Sequence, residues 1–487
     1  MKVKILLVLI IALSLLARVY RISELLGFYF DQGRDASVIW ELWHSHRFFL
    51  IGPTTGIEGI FRGPWYYWLI SLPYLIGRGN PIWPSVFLSI TSVIAVVMCF
   101  CLGKKIQGPK TGLLAALISG LSFYIVQSSR WLSNPTPMLL ISMLLVYFMF
   151  AVQDGKKWAW VGIAFLLGMA MQFGSSTEVF FFPALFIFFV WQFKNRPNLK
   201  QLIVAAFAFF ITILPQAFFD FRHDRILSRN ILNFLFEKGS FQTSFIDVLK
   251  IRLSFYYEVY FSKLFPTNIK VGYVFGLLAL FSLVISWKKI HPKVWTIILL
   301  LMSVSVGMVF FHGNYGNVYD YYFTGSYLLF ILVFSYSISI FPNKKIGLII
   351  YLLFAAFFIR QNVPLIKSYT TSGIDGPTTI AFGNQKMAID WIYKDTVGRD
   401  FNVDVYVPPV IPHAYDYLFT WIGNTKYHKL PKTEQISNLY LLYEQDPPHP
   451  ERLKAWMIRQ NTYAWVDATA TFGGITVERR IRFPAKQ

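Results

Sequence analysis

The sequence predicts an all-α polytopic membrane protein followed by a small C-terminal α/β domain. Of its 487 residues, 55% are apolar and only 14% are charged, whereas soluble domains carry about 25% charged residues. Eleven apolar runs approach the roughly 20 residues that a transmembrane helix needs. Basic residues concentrate in alternate links between these runs, which is typical of cytoplasmic loops. These three observations together predict about eleven transmembrane helices.

The predicted spans follow one another along residues 1–360. A short signal peptide at 1–20 is the alternative for the first run, but the segment RVYR at 18–21 lacks the small residues of a cleavage site, so an uncleaved helix is favoured. Residues 64–77 would form a helix of only about 21 Å and are therefore predicted to lie at the membrane interface. The spans lie at about 4–20, 81–103, 111–128, 135–153, 158–173, 178–193, 201–219, 271–287, 294–311, 325–341 and 346–359.

The links between spans predict the orientation. Five of them carry clustered lysine and arginine: 104–110, 154–157, 194–200, 288–293 and 342–345. The alternate links hold a single basic residue, Arg130, among 129–134, 174–177 and 312–324. All five basic links lie on the same side of the membrane as Lys2 and Lys4 only if residues 64–103 cross the bilayer once. We therefore expect a cytoplasmic N-terminus and an extracytoplasmic C-terminal domain in the cytoplasmic (inner) membrane.

The charge distribution excludes several classes of protein. The net charge is +20; residues 1–360 carry 31 basic and 13 acidic side chains, and residues 361–487 carry 14 and 12. The soluble region has no basic stripe, so no nucleic-acid partner is expected. The interiors of the spans lack ionisable residues of note, which disfavours an ion-coupled transporter. The excess positive charge fits topology signals and an anionic partner at the membrane.

Two domains are predicted. Residues 1–360 form the membrane domain, with outer loops at 21–80 and 220–270. Residues 361–487 form an extracytoplasmic α/β domain. In it we expect strands at 401–407, 438–443 and 475–483, helices at 383–397 and 450–460, and a loop at 407–417 whose aromatic residues could stack on sugars.

Candidate chemistry collects on the outer side, in the loop that follows the first span. A carboxylate held beside the bilayer can accept a proton from a hydroxyl group, and nearby arginines can hold a phosphate through paired N–H donors. Asp31, Arg34 and Asp35 offer both functions. The alternative is that they cap and solvate an interfacial helix. For Glu178, which opens a span, the default interpretation is a favourable charge at a helix N-terminus, and contact with the sugar is the alternative.

Five motifs follow one another in order along the chain. They are DQGRDA at 31–36, RGP at 62–64, SRWLSN at 129–134, LPQAFFDFRH at 214–223 and YDYYF at 319–323. Together they resemble the motifs of the GT-C glycosyltransferases, with the protein O-mannosyltransferases and the lipid A aminoarabinose transferases as the nearest groups. The resemblance covers about residues 1–360. Departures from the pattern are Gln32 in place of a second acid, Asn134 in place of an aspartate, and Arg62-Gly63 in place of part of a Lys-Pro-Pro pattern.

The resemblance implies transfer of a monosaccharide from a polyprenyl-phosphate donor to an acceptor hydroxyl on a glycan, lipid or protein, with inversion and with Asp31 as general base. Membrane lipid is the other expected partner. No metal and no cofactor is expected, because arginines can stabilise a phosphate leaving group. The carrier phosphate or the sugar is expected to contact Arg34, Asp35, Arg62, Arg130, Arg222, His223, Asp320, Tyr321 and Tyr322.

Two other functions stay open. One is an oligosaccharide ligase or polymerase that uses a lipid pyrophosphate donor. The other is a non-enzymatic flippase or export subunit for lipid-linked sugars, which would not depend on Asp31. The sugar, the acceptor and the choice between undecaprenyl and dolichyl carriers are not determined by these motifs.

Overall fold

The computed structural model describes residues 2–55, 59–236, 244–408 and 411–484. Helices make up 69% of it. The first eleven helices are α1 Lys2–Val19, α2 Ile22–Leu25, α3 Phe30–His44, α4 Trp65–Ile76, α5 Ile82–Gln107, α6 Pro109–Leu121, α7 Phe123–Arg130, α8 Met138–Gln153, α9 Ala159–Phe173, α10 Phe181–Trp191 and α11 Leu199–Arg222. The next six are α12 Ile226–Phe236, α13 Phe245–Ser262, α14 Ile269–Ile285, α15 Pro292–Val309, α16 Thr324–Ser339 and α17 Lys344–Thr371.

The chain is a multi-pass membrane protein. Six of its helical segments are long and apolar enough to cross a bilayer, and α6 with α7 forms a seventh that is bent by 57°. Four shorter apolar helices accompany them: α8, α9, α14 and the segment Thr177–Trp191 that contains α10. Each of the eleven predicted spans coincides with one of these segments, while the number of actual crossings stays a prediction.

A buried arginine corrects the expectation that the spans hold no ionisable residue of note. Arg18 lies near the end of α1 and is fully buried. Its guanidinium donates to Ser92 Oγ at 2.8 Å, to Gly120 O at 2.7 Å and to Ser119 O at 3.1 Å. These acceptors replace water around the charge. Two of them are carbonyls at the end of α6, next to the bend that separates α6 from α7.

Helix α16 lies at the centre of the membrane domain, where it packs against α5, α6, α8, α14, α15 and α17. Its apolar side chains face these neighbours on nearly all sides, as expected for a helix without a polar face. Because α16 is fixed in this way, the residues 320–323 that precede it as a 3₁₀ turn are held at one end of the bundle. Helix α4, of 12 residues, lies beside α5 and matches the predicted short segment at 64–77.

The C-terminal domain is built on one four-stranded sheet with the order β1-β2-β4-β3. β1 pairs with β2 in parallel, and the other two pairs are antiparallel. The three predicted strands and both predicted helices are present. Helix α17 runs through the boundary predicted at residues 360 and 361. The elements are α18 Phe382–Asp395, β1 Asn402–Tyr406, α19 His413–Ile422, β2 Asn438–Glu444, α20 Pro450–Asn461, β3 Ala464–Phe472 and β4 Ile475–Arg482.

Two elements of this domain differ from the prediction. β3 lacks a predicted counterpart, since its small and polar residues at an exposed sheet edge give little apolar alternation. The prediction of a sugar-stacking loop at 407–417 is wrong for its aromatic residues, because Tyr415 and Tyr417 belong to α19. Tyr415 and Tyr417 are buried, and their hydroxyls donate to Glu444 at 2.7 Å and to the carbonyl of Gly79, respectively.

The C-terminal domain is joined to the membrane domain through α3 and the residues before it. The backbone N–H of Phe382 donates to Leu26 O at 3.0 Å, and Gln385 Nε2 donates to Phe28 O at 2.8 Å. Helix α19 packs along α3 so closely that a Cβ on Gly33 would lie 2.4 Å from the backbone nitrogen of Ala414. The first turn of α3 is therefore fixed by both domains.

Candidate active site

Helix α3 begins with a side-chain cap that explains one departure from the family pattern. The Gln32 side chain accepts a hydrogen bond from the backbone N–H of Tyr29 at 3.1 Å, which satisfies a donor that the helix itself leaves free. Its Nε2 donates to Leu132 O at 3.1 Å. Gln32 is buried, so the residue that replaces the expected second acid positions α3 against the segment 129–134.

The first turn of α3 presents an exposed carboxylate, an arginine and a buried carboxylate. Arg34 lies between the two acids, at 3.0 Å from Asp31 Oδ1 and 2.8 Å from Asp35 Oδ1. The Asp31 side chain is 59% exposed, whereas that of Asp35 is 8% exposed. The Tyr67 hydroxyl donates to Asp35 at 2.9 Å. Asp31 is thus the carboxylate that a substrate can reach, and Asp35 holds Arg34 in place.

The surroundings of Asp35 change its acidity. Burial raises the pKa of Asp35 to about 6, while the neighbouring Arg34 and the hydrogen bond from Tyr67 partly oppose this rise. The carboxyl group is therefore ionised at neutral pH and gains a proton in mildly acidic solution.

Arg62 brings the loop before α4 into the same region. It is buried, and its Nη2 donates to Ser175 O at 2.8 Å. Burial lowers the pKa of Arg62, while Glu178, Tyr321 and Tyr322 interact with it electrostatically and raise this pKa. Arg62 therefore connects the α9–α10 link with the turn before α16.

Tyr321 completes the group. It interacts electrostatically with Asp31 as well as with Arg62. Its ring packs edge-on against Trp131 at 5.7 Å and against Tyr322 at 4.9 Å between ring centroids. Tyr321 is partly exposed and Tyr322 is buried. The structure thus collects six of the predicted site residues in one region: Asp31, Arg34, Asp35, Arg62, Tyr321 and Tyr322.

Arg130 and Asp320 lie near this group but make other contacts. Arg130 is buried and donates to Ala17 O at 3.0 Å and Tyr20 O at 2.9 Å, so it fixes the end of α1. Asp320 pairs with the buried Lys263 at 2.7 Å. Both residues stabilise the framework of the site, and contact with a substrate stays a prediction for each.

The structure places Arg222 and His223 at the exposed end of α11. The Arg222 guanidinium lies over the ring of Phe218 at 5.7 Å, and His223 stacks on Phe219 with 4.0 Å between ring centroids. These contacts stay within their own helix. Among the described residues the structure does not bring these two side chains into contact with Asp31 or Arg62, and their role in binding stays a prediction.

Glu178 is the main site residue that the motifs did not identify. It is 3% exposed and lies in a 3₁₀ turn, Thr177–Phe180, before α10. Thr177 Oγ1 donates to Tyr322 O at 2.6 Å, so this turn contacts the turn before α16 directly. The sequence signal that could have identified Glu178 is an acidic residue within an otherwise apolar segment. Its place in the first turn before α10 agrees with the default interpretation of a charge at a helix N-terminus, and its burial is the feature that this interpretation did not include.

In the part of the chain that the structure describes, no group of three or more His, Cys, Asp or Glu side chains could hold a metal ion. The chemistry available at the site is that of the carboxylates, guanidinium groups and tyrosine hydroxyls described above.

The chain is similar to proteins of known structure in its fold. The match with ArnT from Cupriavidus metallidurans bound to undecaprenyl phosphate covers 98% of this chain and 97% of ArnT, with a TM-score of 0.60 and 10% identity. The apo form of ArnT gives a TM-score of 0.63 at 8% identity. A third match is the archaeal oligosaccharyltransferase AglB from Archaeoglobus fulgidus, in complex with an inhibitory peptide and a dolichol-phosphate. This match covers 97% of the present chain and 74% of the AglB chain, with a TM-score of 0.51 and 12% identity.

At the level of sequence, residues 62–218, about a third of the chain, match a family described as dolichyl-phosphate-mannose-protein mannosyltransferase. No curated protein sequence matches the chain. The predicted GT-C resemblance is therefore confirmed as a shared fold, which extends over the membrane domain and the C-terminal domain together.

Proposed function

We propose that this GT-C-fold membrane protein is a glycosyltransferase. It moves a monosaccharide from a polyprenyl-phosphate carrier to a hydroxyl group of a glycan, lipid or protein acceptor, with inversion. The reaction takes place at the outer face of the cytoplasmic membrane, with the N-terminus on the cytoplasmic side. The family match and the two relatives crystallised with a polyprenyl phosphate support a lipid-linked donor.

The observation that carries this proposal is the position of Asp31. Its carboxylate is exposed, and it belongs to one cluster with Arg34, Arg62 and Tyr321. An anionic lipid donor needs fixed cations, and an acceptor hydroxyl needs a base within reach. The start of α3 and its neighbours offer groups for both requirements, which supports the proposal.

The proposed step is a single displacement. Asp31 accepts the proton of the acceptor hydroxyl as its oxygen attacks the anomeric carbon from the side opposite the carrier. The bond between that carbon and the phosphate oxygen breaks, and the electron pair leaves with the polyprenyl phosphate. Arg34 and Arg62, assisted by Arg222 and Tyr321 or Tyr322, stabilise the phosphate as its charge increases. The sugar thereby changes anomeric configuration.

The proposal is tested by release of free polyprenyl phosphate from a panel of polyprenyl-phosphate sugars in nanodiscs that contain native lipid extract. Wild type and Asp31→Asn are compared, with Glu41→Gln as a matched control because Glu41 is an exposed acid on the same helix that pairs with Arg47. We expect the wild type and the control to consume one donor. The loss in Asp31→Asn should be about 10²- to 10⁴-fold.

Equal consumption by wild type and Asp31→Asn would remove Asp31 from the mechanism. The labelled product identifies the acceptor and its anomeric configuration. A product that retains the configuration of the donor would contradict the single displacement.

The similarity to AglB favours one second candidate, an oligosaccharide transferase with a pyrophosphate-linked donor. The same panel therefore includes polyprenyl-pyrophosphate oligosaccharides. Consumption of these donors alone would replace the monosaccharide proposal. Movement of a lipid-linked sugar across the membrane without any release of carrier phosphate would instead identify the non-enzymatic flippase.

A further inference from the structure

Two buried hydrogen-bond acceptors flank the Arg62–Gly63 segment. Glu178 is 3% exposed and Gln172 is 1% exposed. Glu178 Oε2 and Gln172 Oε1 each lack a hydrogen-bond partner in the structure, although the backbone of Ser175 and Glu178 and the Thr177 side chain stabilise the Glu178 carboxyl group as a whole. Buried acceptors without a donor are rare in proteins because each loses its hydration without compensation. The pair therefore calls for a specific explanation at this position.

Glycines surround these acceptors. A Cβ on Gly174 would lie 2.0 Å from Glu178 Cδ, and a Cβ on Gly325 would lie 3.1 Å from Glu178 Oε1. On the other side, a Cβ on Gly63 would lie 1.9 Å from Gln172 Oε1. Side chains at these three positions would displace the two acceptors. The local sequence thus keeps them next to Arg62.

Glu178 attracts Arg62 without pairing directly with it. The two side chains interact electrostatically, but the Nη2 of Arg62 donates to Ser175 O and not to the carboxylate. Asp31 interacts with Tyr321 instead.

We propose that Glu178 binds a ring hydroxyl of the donor sugar and so contributes to sugar specificity, with Gln172 as a second acceptor beside it. This inference rests on the proposed function. Of the three parts of such a donor, the polyprenyl chain has no hydrogen-bond donors and the phosphate is repelled by a carboxylate. Only the sugar offers O–H groups. Arg62 on one side of the sugar and Glu178 on the other would then bind the phosphate and the hydroxyl, respectively.

The test combines substrate analogues with an isosteric variant. Wild type and Glu178→Gln are assayed with the donor that the wild type consumes and with analogues that each lack one ring hydroxyl. We expect one analogue to be poorer for the wild type by about 10- to 100-fold in kcat/KM, the range of a hydrogen bond to a charged group. Glu178→Gln should lose most of its activity on the full donor but little on that analogue.

Glu444→Gln is the matched control, because Glu444 is also a buried acid but lies in the C-terminal domain and binds Tyr415. It should retain the wild-type preference among the analogues. If Glu178→Gln lowers kcat/KM equally on every donor, Glu178 merely balances the charge of Arg62 and the inference is wrong while the proposed function stands. If the wild type consumes no lipid-linked sugar, the proposed function fails and this inference fails with it.

The analogue series on the wild type needs no variant, so it remains decisive if Glu178→Gln does not fold. Equal kcat/KM values for the full donor and all of its analogues would show that no ring hydroxyl is bound by a buried acceptor.

Discussion

Arg34 is the residue on which both carboxylates of the first turn of α3 depend. It binds Asp35 through Nε at 3.0 Å and through Nη2 at 2.8 Å, and its Nη1 reaches Asp31 and Thr54. A guanidinium group has five N–H donors in a planar fork, so it can hold a buried and an exposed acid at once. The exposed carboxylate of Asp31 is thus oriented by the buried ion pair of Arg34 with Asp35.

The carboxyl group of Asp35 makes the free energy of unfolding depend on pH. Its pKa in the folded protein is raised to about 6, above the value of an unfolded chain. Because the folded state then holds the proton more tightly, the contribution of Asp35 to stability is largest below about pH 4 and falls as the pH rises to about 6. The wild type should therefore lose at most about 3 kcal/mol over this window relative to Asp35→Asn.

Thermal unfolding of both proteins in detergent, measured from pH 4 to 8, checks this expectation. Above about pH 7 the difference between them should be constant. A difference that does not vary between pH 4 and 6 would show that the carboxyl group titrates as it does in the unfolded chain.

At the scale of elements, the contact between α3 and α19 fixes the position of the first turn of α3. Gly33→Ala would place a methyl group against the backbone of His413 and Ala414, which cannot rotate away. We expect a destabilisation of about 1–3 kcal/mol from overpacking. Because α3 must shift, release of carrier phosphate should fall more than the stability loss alone explains.

Gly373→Ala is the matched control, since an added Cβ there meets atoms only at 3.9 Å. Stability and activity are measured for both variants. If Gly33→Ala unfolds earlier but keeps full activity below its unfolding temperature, α19 supports the fold without positioning Asp31.

The secondary structure was largely predictable from the sequence, because apolar run length and strand alternation are local signals. All eleven apolar segments and three of four strands followed from them. The bend between α6 and α7 did not, since the carbonyls next to it are satisfied by Arg18, about 100 residues away in the sequence. Helix α19 was missed because its buried tyrosines and its contact with α3 are tertiary features.

The candidate site was predictable in part, because the order of motifs is also a signal that can be read along the sequence. Motif order placed Asp31, Arg34, Arg62 and Tyr321 on one side, and the structure brings them together. The burial of Glu178 and the contact of Gln32 with Leu132 depend on neighbours that are remote in sequence. Neither could follow from spacing along the chain.

At the scale of the whole molecule, the two domains share one hydrophobic core. Buried residues of the membrane domain and of α18 and α19 belong to a single contiguous cluster, in which Phe28 contacts Phe382 and Tyr417 at 5.8 Å between ring centroids. Separating the domains would expose these rings. The C-terminal domain is therefore part of the folded unit that holds α3.

We expect a chain that ends at residue 371 to unfold at a lower temperature than the full chain and to lose donor consumption, not only transfer to the acceptor. The control is the full chain with Trp465→Ala. Trp465 lies on strand β3 and is 48% exposed, so its loss should not disturb the core. Thermal unfolding and carrier-phosphate release are measured in parallel. A truncated chain that still hydrolyses the donor at the wild-type rate would instead assign the domain to acceptor recognition.

The buried Arg18 has a consequence for biogenesis. When α1 first enters the membrane, the partners of Arg18 at Ser92, Ser119 and Gly120 have not yet been synthesised. A long cationic side chain near a helix end then extends to the aqueous boundary. Only after about 100 more residues have been inserted can it turn inward against α5 and α6. Helix α1 thus acquires its final packing only after α5 and α6 are in place.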